Sequence, residues 1–287
     1  IGVLGPWTCD PLLAGALPEV ASRLAVARLN RDPSFNRAYW WDALVLPEPC
    51  FTPRAVASLP GTERQVNALL GPLNPAACAA AGHLAAAWNK PLVAWSCLGD
   101  SLGMDTLVVP MPVPAGVLHS VLSFFRWAHV AVVASPEDGW REVGQGLAGQ
   151  LRARGLPVTV VGTSGAREEE ALEALGRVRR ADGVRVVVMC MHSALLGGRE
   201  QRVLLEAAED LGMTDGTYVF VPYDALTFPL PYHRVSYPVL ADSPKLRLAY
   251  DAVLTITIDS PDGTFRDLLQ EAKDAYEIPA HVDPDQV

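Results

Sequence analysis

The feature that most constrains this chain is the repeated alternation of short, unbroken apolar runs with longer amphipathic stretches. Runs such as Val184–Met189 present apolar side chains on both faces, as strands of parallel sheets do, because helices cover both sides of such sheets. Strands are expected at Ile1–Leu4, Trp40–Leu46, Val66–Leu70, Leu92–Trp95, Thr106–Val109, Val130–Ala134, Val158–Val161, Val184–Met189, Thr217–Val221 and Ala252–Ile258. Helices are expected at Leu13–Asn30, Pro75–Trp88, Ala115–Phe125, Glu137–Arg154, Ala166–Arg180 and Leu195–Leu211. Strand–helix–strand alternation of this kind gives right-handed crossovers and doubly wound parallel sheets, an α/β fold. So many strands exceed one ordinary sheet, and Pro110, Pro112 and Pro114 interrupt them. Two lobes follow: 1–112, then 113–258, with 259–287 returning toward the first. The Pro- and Tyr-rich stretch Pro222–Leu240 has no periodicity and reads as a long loop.

Composition narrows the function classes. Half of the residues are apolar and mean hydropathy is +0.18, which excludes disorder as the dominant state. Acidic residues outnumber basic ones, 32 to 23, for a formal charge of −9, and no basic stripe is visible, so nucleic acid is not expected as a partner. The uncharged segment Thr106–Phe125 is broken by its prolines, so no membrane-spanning helix is expected. The chain opens on a strand-like segment without a charged leader or cleavage site, so a signal peptide is expected to be absent or already removed.

Motifs for catalysis are weak. Gly144-Gln145-Gly146-Leu147-Ala148-Gly149 matches the dinucleotide pattern G-x-G-x-x-G, but it begins ten residues after the preceding strand, inside a helix. Pyrophosphate binding needs the first glycine at the strand–helix turn, so helix packing is the better reading. No two of the six histidines stand at helical i, i+4 spacing and no Cys-x-x-Cys occurs, so no zinc site is expected. Cys190-Met191-His192-Ser193 follows a strand, where a Cys–His nucleophile is conceivable, but adjacency in sequence does not place a thiol on an imidazole. No cofactor or metal is expected in this chain. Of the five cysteines, Cys9, Cys50, Cys78 and Cys97 follow strands of the first lobe, a pattern suited to two bridges in an oxidising compartment. Four cysteines allow three pairings.

Longer motifs add a resemblance. Gly2-Val3-Leu4-Gly5-Pro6-Trp7-Thr8-Cys9-Asp10-Pro11, Leu46-Pro47-Glu48-Pro49-Cys50, Gly71–Cys78, Phe125-Arg126-Trp127-Ala128, Met191–Gly198 and Tyr250–Thr255 resemble the extracellular domain of the sensory membrane guanylyl cyclases along nearly the whole chain. Met191–Gly198, Leu230-Pro231-Tyr232 and Ser236-Tyr237 look most like the olfactory branch, with the retinal branch second. The resemblance implies a two-lobed, type I periplasmic-binding-protein-like ligand-binding domain, as in natriuretic-peptide receptors. It also implies a homodimer on the extracellular face of the plasma membrane of sensory cilia. The full protein would be single-pass, with a cyclase making cGMP from GTP and Mg2+. Peptides of the guanylin family (uroguanylin, guanylin) are the implied ligands. The alternatives are a retinal-type domain without an extracellular ligand, or a solute-binding protein of the same fold.

By the same resemblance Cys50 pairs with Cys78, which leaves Cys9 with Cys97 and Cys190 as a free thiol. The serine that helps to hold chloride in natriuretic-peptide receptors has no counterpart in Leu44–Pro49, and no Asn-x-Ser/Thr sequon occurs. The implied chain end falls short of the family's closing strand and helix. Candidate ligand contacts lie on the second lobe: Trp140, Arg141, Glu142 and His192, with the aromatics Tyr223, Phe228, Tyr232 and Tyr237, residue types that dominate binding hot spots.

Overall fold

A computed structural model describes residues 1–274 apart from 16, 38, 95–103, 227–236 and 258–264. The chain divides into two compact units, 1–110 with 261–287 and 111–260.

Unit 1 begins β1 (Gly2–Gly5), α1 (Pro11–Ala14), α2 (Pro18–Arg31), β2 (Leu44–Pro47), α3 (Thr52–Ser58), β3 (Leu69–Leu70), α4 (Pro75–Trp88), β4 (Leu92–Val93) and β5 (Leu107–Val108). The strands form one parallel sheet in the order β2-β1-β3-β4-β5. Helix α4 shows how local sequence fixes an element. The Asn74 side chain accepts from the backbone N–H of Ala76 and Ala77 (3.0 and 3.2 Å), Pro75 opens the first turn, and Asn89 closes the helix at φ 53°. Its small face, Ala77, Ala81 and Ala85, is fully buried.

Unit 2 contains α5 (Pro114–Phe124), β6 (Val130–Ala134), α6 (Asp138–Ala153), β7 (Val158–Thr163), α7 (Glu168–Arg180), β8 (Val186–Cys190), α8 (Arg199–Asp210), β9 (Val219–Pro222), α9 (Pro238–Asp242) and α10 (Pro244–Tyr250). Its parallel sheet runs β7-β6-β8-β9. Every residue of β6 and β8 is buried, and Val133, Val187, Met189, Leu175, Leu204, Leu205 and Phe220 pack one continuous core. Three glutamates open α7 and three arginines close it, each complementing the helix dipole. The chain then returns to unit 1 as α11 (Phe265–Asp274), where Leu269 and Ala272 bury against Val20 and Leu24 of α2, and Arg28 pairs with Glu271 through both carboxylate oxygens.

Several elements differ from the sequence reading. The helix expected from Leu13 breaks at Gly15 and restarts at Pro18, which has no N–H for a preceding turn; Leu17 before it is left-handed at φ 48°. The strand expected from Trp40 starts only at Leu44, because the amide of Asn30 takes the place of a strand partner. Its Nδ2 donates to the Trp41 carbonyl (2.9 Å) and its Oδ1 accepts the Trp41 N–H (2.8 Å). The expected Leu195 helix becomes a 3₁₀ turn over Ala194–Leu196, and α8 starts after Gly197 and Gly198. Of Ala252–Ile258, the described residues form a single bridge, Val253 with Phe220. The expected loop ends in helix at Pro238, and α3, α9, α10 and α11 are additional.

The disulfide expectation is corrected. Cys9 bonds Cys50, with Cα atoms 6.0 Å apart, so neither Cys50–Cys78 nor Cys9–Cys97 forms. Sheet order gives the reason. The turns after β1 and β2 leave neighbouring parallel strands at one edge of the sheet, which brings Cys9 and Cys50 within disulfide reach. Cys78 is disulfide-bonded as well, Cys97 lies outside the described residues, and Cys190 is a buried free thiol. Beside Cys9 and Cys50, the buried Glu48 accepts the backbone N–H of Leu73 (2.8 Å) and Asn74 (3.1 Å) at the entrance to α4; burial raises its pKa against those two hydrogen bonds.

The Gly144–Gly149 motif lies inside α6. A Cβ on Gly144 would stand 2.9 Å from the Ala134 Cβ at the end of β6, so this glycine is the point of closest approach of helix and sheet. Replacing Gly144 with Val should lower unit 2's unfolding free energy by about 1–3 kcal/mol, read by urea denaturation. Wild-type stability in the variant would contradict this contact. Among the described residues no helix is long and apolar enough to cross a membrane.

Candidate functional site

In a parallel sheet the loops leaving the carboxyl ends of the strands share one edge, where α/β proteins bind ligands. In unit 2 that edge holds Ser135 after β6, Met191, His192 and Ser193 after β8, and Tyr223 and Asp224 after β9. Backbone bonds fix the loops to one another. The Ser135 N–H donates to the Cys190 carbonyl and the Tyr223 N–H to the Met189 carbonyl, both at 2.9 Å.

Behind the edge is a buried polar network. Gln201 of α8 is fully buried; its Oε1 accepts the Ala194 N–H at 2.9 Å and the Tyr250 hydroxyl of α10 at 3.3 Å. Its Nε2 is buried with no hydrogen-bond partner among the described residues. The Asp224 carboxylate accepts its neighbours' backbone N–H groups, from Ser193 and from Ala225, the latter at 3.0 Å. Burial pushes its pKa up to about 7, against the opposing pull of His192 and these bonds. Burial, with Asp224 nearby, also pushes the Cys190 thiol up, so the Cys–His nucleophile reading fails: the thiol is closed off and held protonated.

The network has an aromatic lip. Trp140, in the first turn of α6, meets His192 edge to face, with ring centroids 5.0 Å apart and planes at 85°. The fold therefore brings two of the expected contacts together from residues 52 positions apart in sequence. Arg141 and Glu142 are exposed beside them, and the Arg141 guanidinium folds back onto the Pro136 carbonyl. Tyr223 is buried beneath the edge and Tyr237 is half-buried. Phe228 and Tyr232 lie outside the described residues. Sequence reading missed Ser193, Gln201, Asp224 and Tyr250. Asp224 could have been found as the first charged residue after the apolar β9 run. Gln201 could have been found as the polar member of a helix face continued by Leu204, Leu205 and Ala208.

A lip of indole and imidazole over buried polar groups suits recognition of a ligand. Among the described residues its one thiol, Cys190, is buried and held protonated.

Comparison with known proteins agrees. The family description "Receptor family ligand binding region" matches residues 17–287. The chain is 47% identical over its whole length to human retinal guanylyl cyclase 2, and 46% to rat retinal guanylyl cyclase 1, spanning 26% of each relative. It is 47% identical over 91% of its length to rat guanylate cyclase 2D, 23% of that protein. These identities do not separate an olfactory from a retinal type, so the expected olfactory preference is not distinguished. Among solved structures, a solute-binding protein of an ABC transporter from R. palustris, in complex with 4-hydroxybenzoate, superposes over 100% of this chain and 74% of its own with a TM-score of 0.59. At 13% identity that likeness shows the periplasmic-binding-protein-like fold alone. The chain therefore belongs to the receptor-family ligand-binding regions, of the kind found in retinal and related membrane guanylyl cyclases.

Proposed function

We propose that this chain is the extracellular sensing and dimerisation region of a single-pass receptor guanylyl cyclase of sensory cells. The observation that carries this reading is the identity of 47%, covering all of this chain, to one segment of a guanylyl cyclase about four times as long. The cyclase, with its GTP and Mg2+, would lie outside this chain. It would act in a homodimer, whose geometry the occupied sensing region alters. Membranes from cells expressing the full-length receptor should convert GTP to cGMP. Their failure to do so, with the protein at the surface, would overturn the reading.

For the ligand, the Trp140–His192 lip is the contact surface, and a guanylin-family peptide is the ligand to test first. Uroguanylin should raise cGMP in cells carrying the receptor. Replacing Trp140 and Arg141 with Ala should reduce its potency about thirtyfold, equivalent to about 2 kcal/mol of lost contact. An unchanged dose–response with normal surface expression would remove this face from consideration. A wild-type receptor silent to the peptide would favour a domain without an extracellular peptide ligand.

A further inference from the structure

Unit 1 carries a cleft of about 500 Å³ between helix α2 and the segment leading into β2, within the size range of ligand sites. Its floor is one face of α2, where Arg23, Ala27 and Arg31 succeed one another by single turns with Asn30 beside them. Its wall is the chain from Trp40 to Ala43. The two arginines are eight positions apart, which separates them by about 12 Å along the helix axis.

Local hydrogen bonds build the wall. The Asn30 amide that holds the Trp41 backbone also ties wall to floor. The Asn36 amide donates to the Asn30 carbonyl (2.6 Å), and the Trp41 indole N–H to the Phe35 carbonyl (3.1 Å). With Trp41 fixed in this way, Trp40 projects from the rim with 81% of its surface accessible. Phe35 and Tyr39, at 54% and 75%, are exposed on the same short loop, so the aromatics form a patch and are not a stray apolar residue.

The charges of the cleft are of both signs. Among the described residues neither Arg23 nor Arg31 has a hydrogen bond or ion pair through its guanidinium; Arg31 is attracted only by Glu271, which Arg28 already holds. Asp42 is the acid of the lining, and one of its oxygens accepts the Ala43 N–H (2.9 Å). Outside the lining, Glu19 stands one turn before Arg23, Arg37 is exposed on the loop, and Asp32 is taken up by the Ser34 N–H and hydroxyl (2.8 and 2.7 Å). An anion at the floor therefore meets two forked donors, and a hydroxyl at the wall meets the second Asp42 oxygen.

That combination selects a class of ligand. An open trough gives a hydrocarbon nothing to be buried in, and a small inorganic anion would leave the indole unused. A sugar ring carries on one face C–H bonds that meet the negative face of an indole, and at its edge hydroxyls that both donate and accept. Sulfate and carboxylate groups fit the guanidinium fork. We propose that this cleft binds an acidic saccharide chain of the cell surface or matrix, with a ring stacked on Trp40 and its sulfate or carboxylate groups on Arg23 and Arg31. Of the proposed function it takes only the extracellular placement of the chain. The overall charge of −9 does not oppose it, because at about 0.1 M salt charges more than about 10 Å away are screened.

The test is titration calorimetry of this chain with oligosaccharides of heparin (sulfated), hyaluronan (carboxylate only) and maltose units (neutral). Wild type should bind an acidic oligosaccharide, more weakly as salt rises, and not the neutral one. Binding to hyaluronan assigns the anionic group to carboxylate, and binding to heparin alone assigns it to sulfate. Trp40→Ala should weaken binding about tenfold, and Arg23→Gln with Arg31→Gln about thirtyfold. Replacing Arg179 and Arg180 with Gln, an equal change of charge in unit 2, should leave binding unchanged. All these side chains are exposed, and circular dichroism checks each fold; should Trp40→Ala unfold, the arginine pair decides alone. No binding to either acidic oligosaccharide would overturn the proposal, as would equal binding of the neutral one. So would wild-type affinity in the Trp40 and arginine variants, or an equal loss in the unit 2 variant. Self-association lost in Trp40→Ala, without saccharide binding, would overturn it in favour of a contact between copies.

Discussion

Replacing Cys9 and Cys50 together with Ser is expected to lower the unfolding free energy of unit 1 by about 4 kcal/mol. The bond spans 41 residues, and a cross-link of that length removes correspondingly many conformations from the unfolded chain. For a unit of this size the loss corresponds to a fall in Tm of roughly 10 °C or more, read by circular dichroism without reductant. The transition of unit 2 should not move, since its thiol, Cys190, takes no part in a bridge. Peptide mapping of the non-reduced chain should recover Cys9 joined to Cys50. A fragment linking Cys50 to Cys78 would refute this pairing.

Asp224 should make the stability of unit 2 depend on pH. Its pKa lies near 7 in the folded chain, because burial disfavours the charge, and near 4 when unfolded. Between those values the folded state keeps a proton that the unfolded state has released. Stability is therefore full below about pH 4, falls as pH rises toward 7 and is level above it, a loss of about 4 kcal/mol in all. The groups that face the carboxylate are His192, which favours its ionised form, and Cys190 and Tyr250, whose own ionisation it opposes. Asp224→Asn removes the titration and keeps an oxygen for the Ala225 N–H. At pH 8 the variant should exceed wild type by about 3 kcal/mol, allowing ~1 kcal/mol for an imperfect fit to the second donor. Urea denaturation at pH 5 and pH 8 gives the comparison. The buried Glu48 in unit 1 acts in the same direction, so the difference between variant and wild type is the quantity that tests Asp224. Parallel pH profiles for the two proteins would exclude the role.

The sequence by itself determined the class of fold and the identity of most elements. Buried parallel strands such as β6 and β8 need apolar residues on both faces, so their composition announces them without help from the rest of the chain. Helix α4 was legible to both ends because its cap, its opening proline and its alanine face are all local signals. The packing role of Gly144 also followed from spacing, since ten residues after a strand is the wrong place for a phosphate turn.

Tertiary structure decided whatever depends on neighbours distant in sequence. Pairing of β1 with β2 put the turns after them side by side, and the assembled sheet joined Cys9 to Cys50, one of the three pairings the cysteines allow. The Trp41 backbone turned from strand partners to the side chain of Asn30, an exchange that no local preference signals. The site divides along the same line. Trp140 and His192 were visible as residue types, but their edge-to-face contact exists only because α6 and the loop after β8 leave adjacent parallel strands. Asp224, Gln201 and Ser193 are ordinary polar residues in sequence. Burial, which is a property of the assembled core and of no single segment, is what converts them into a network and moves the Asp224 pKa to about 7.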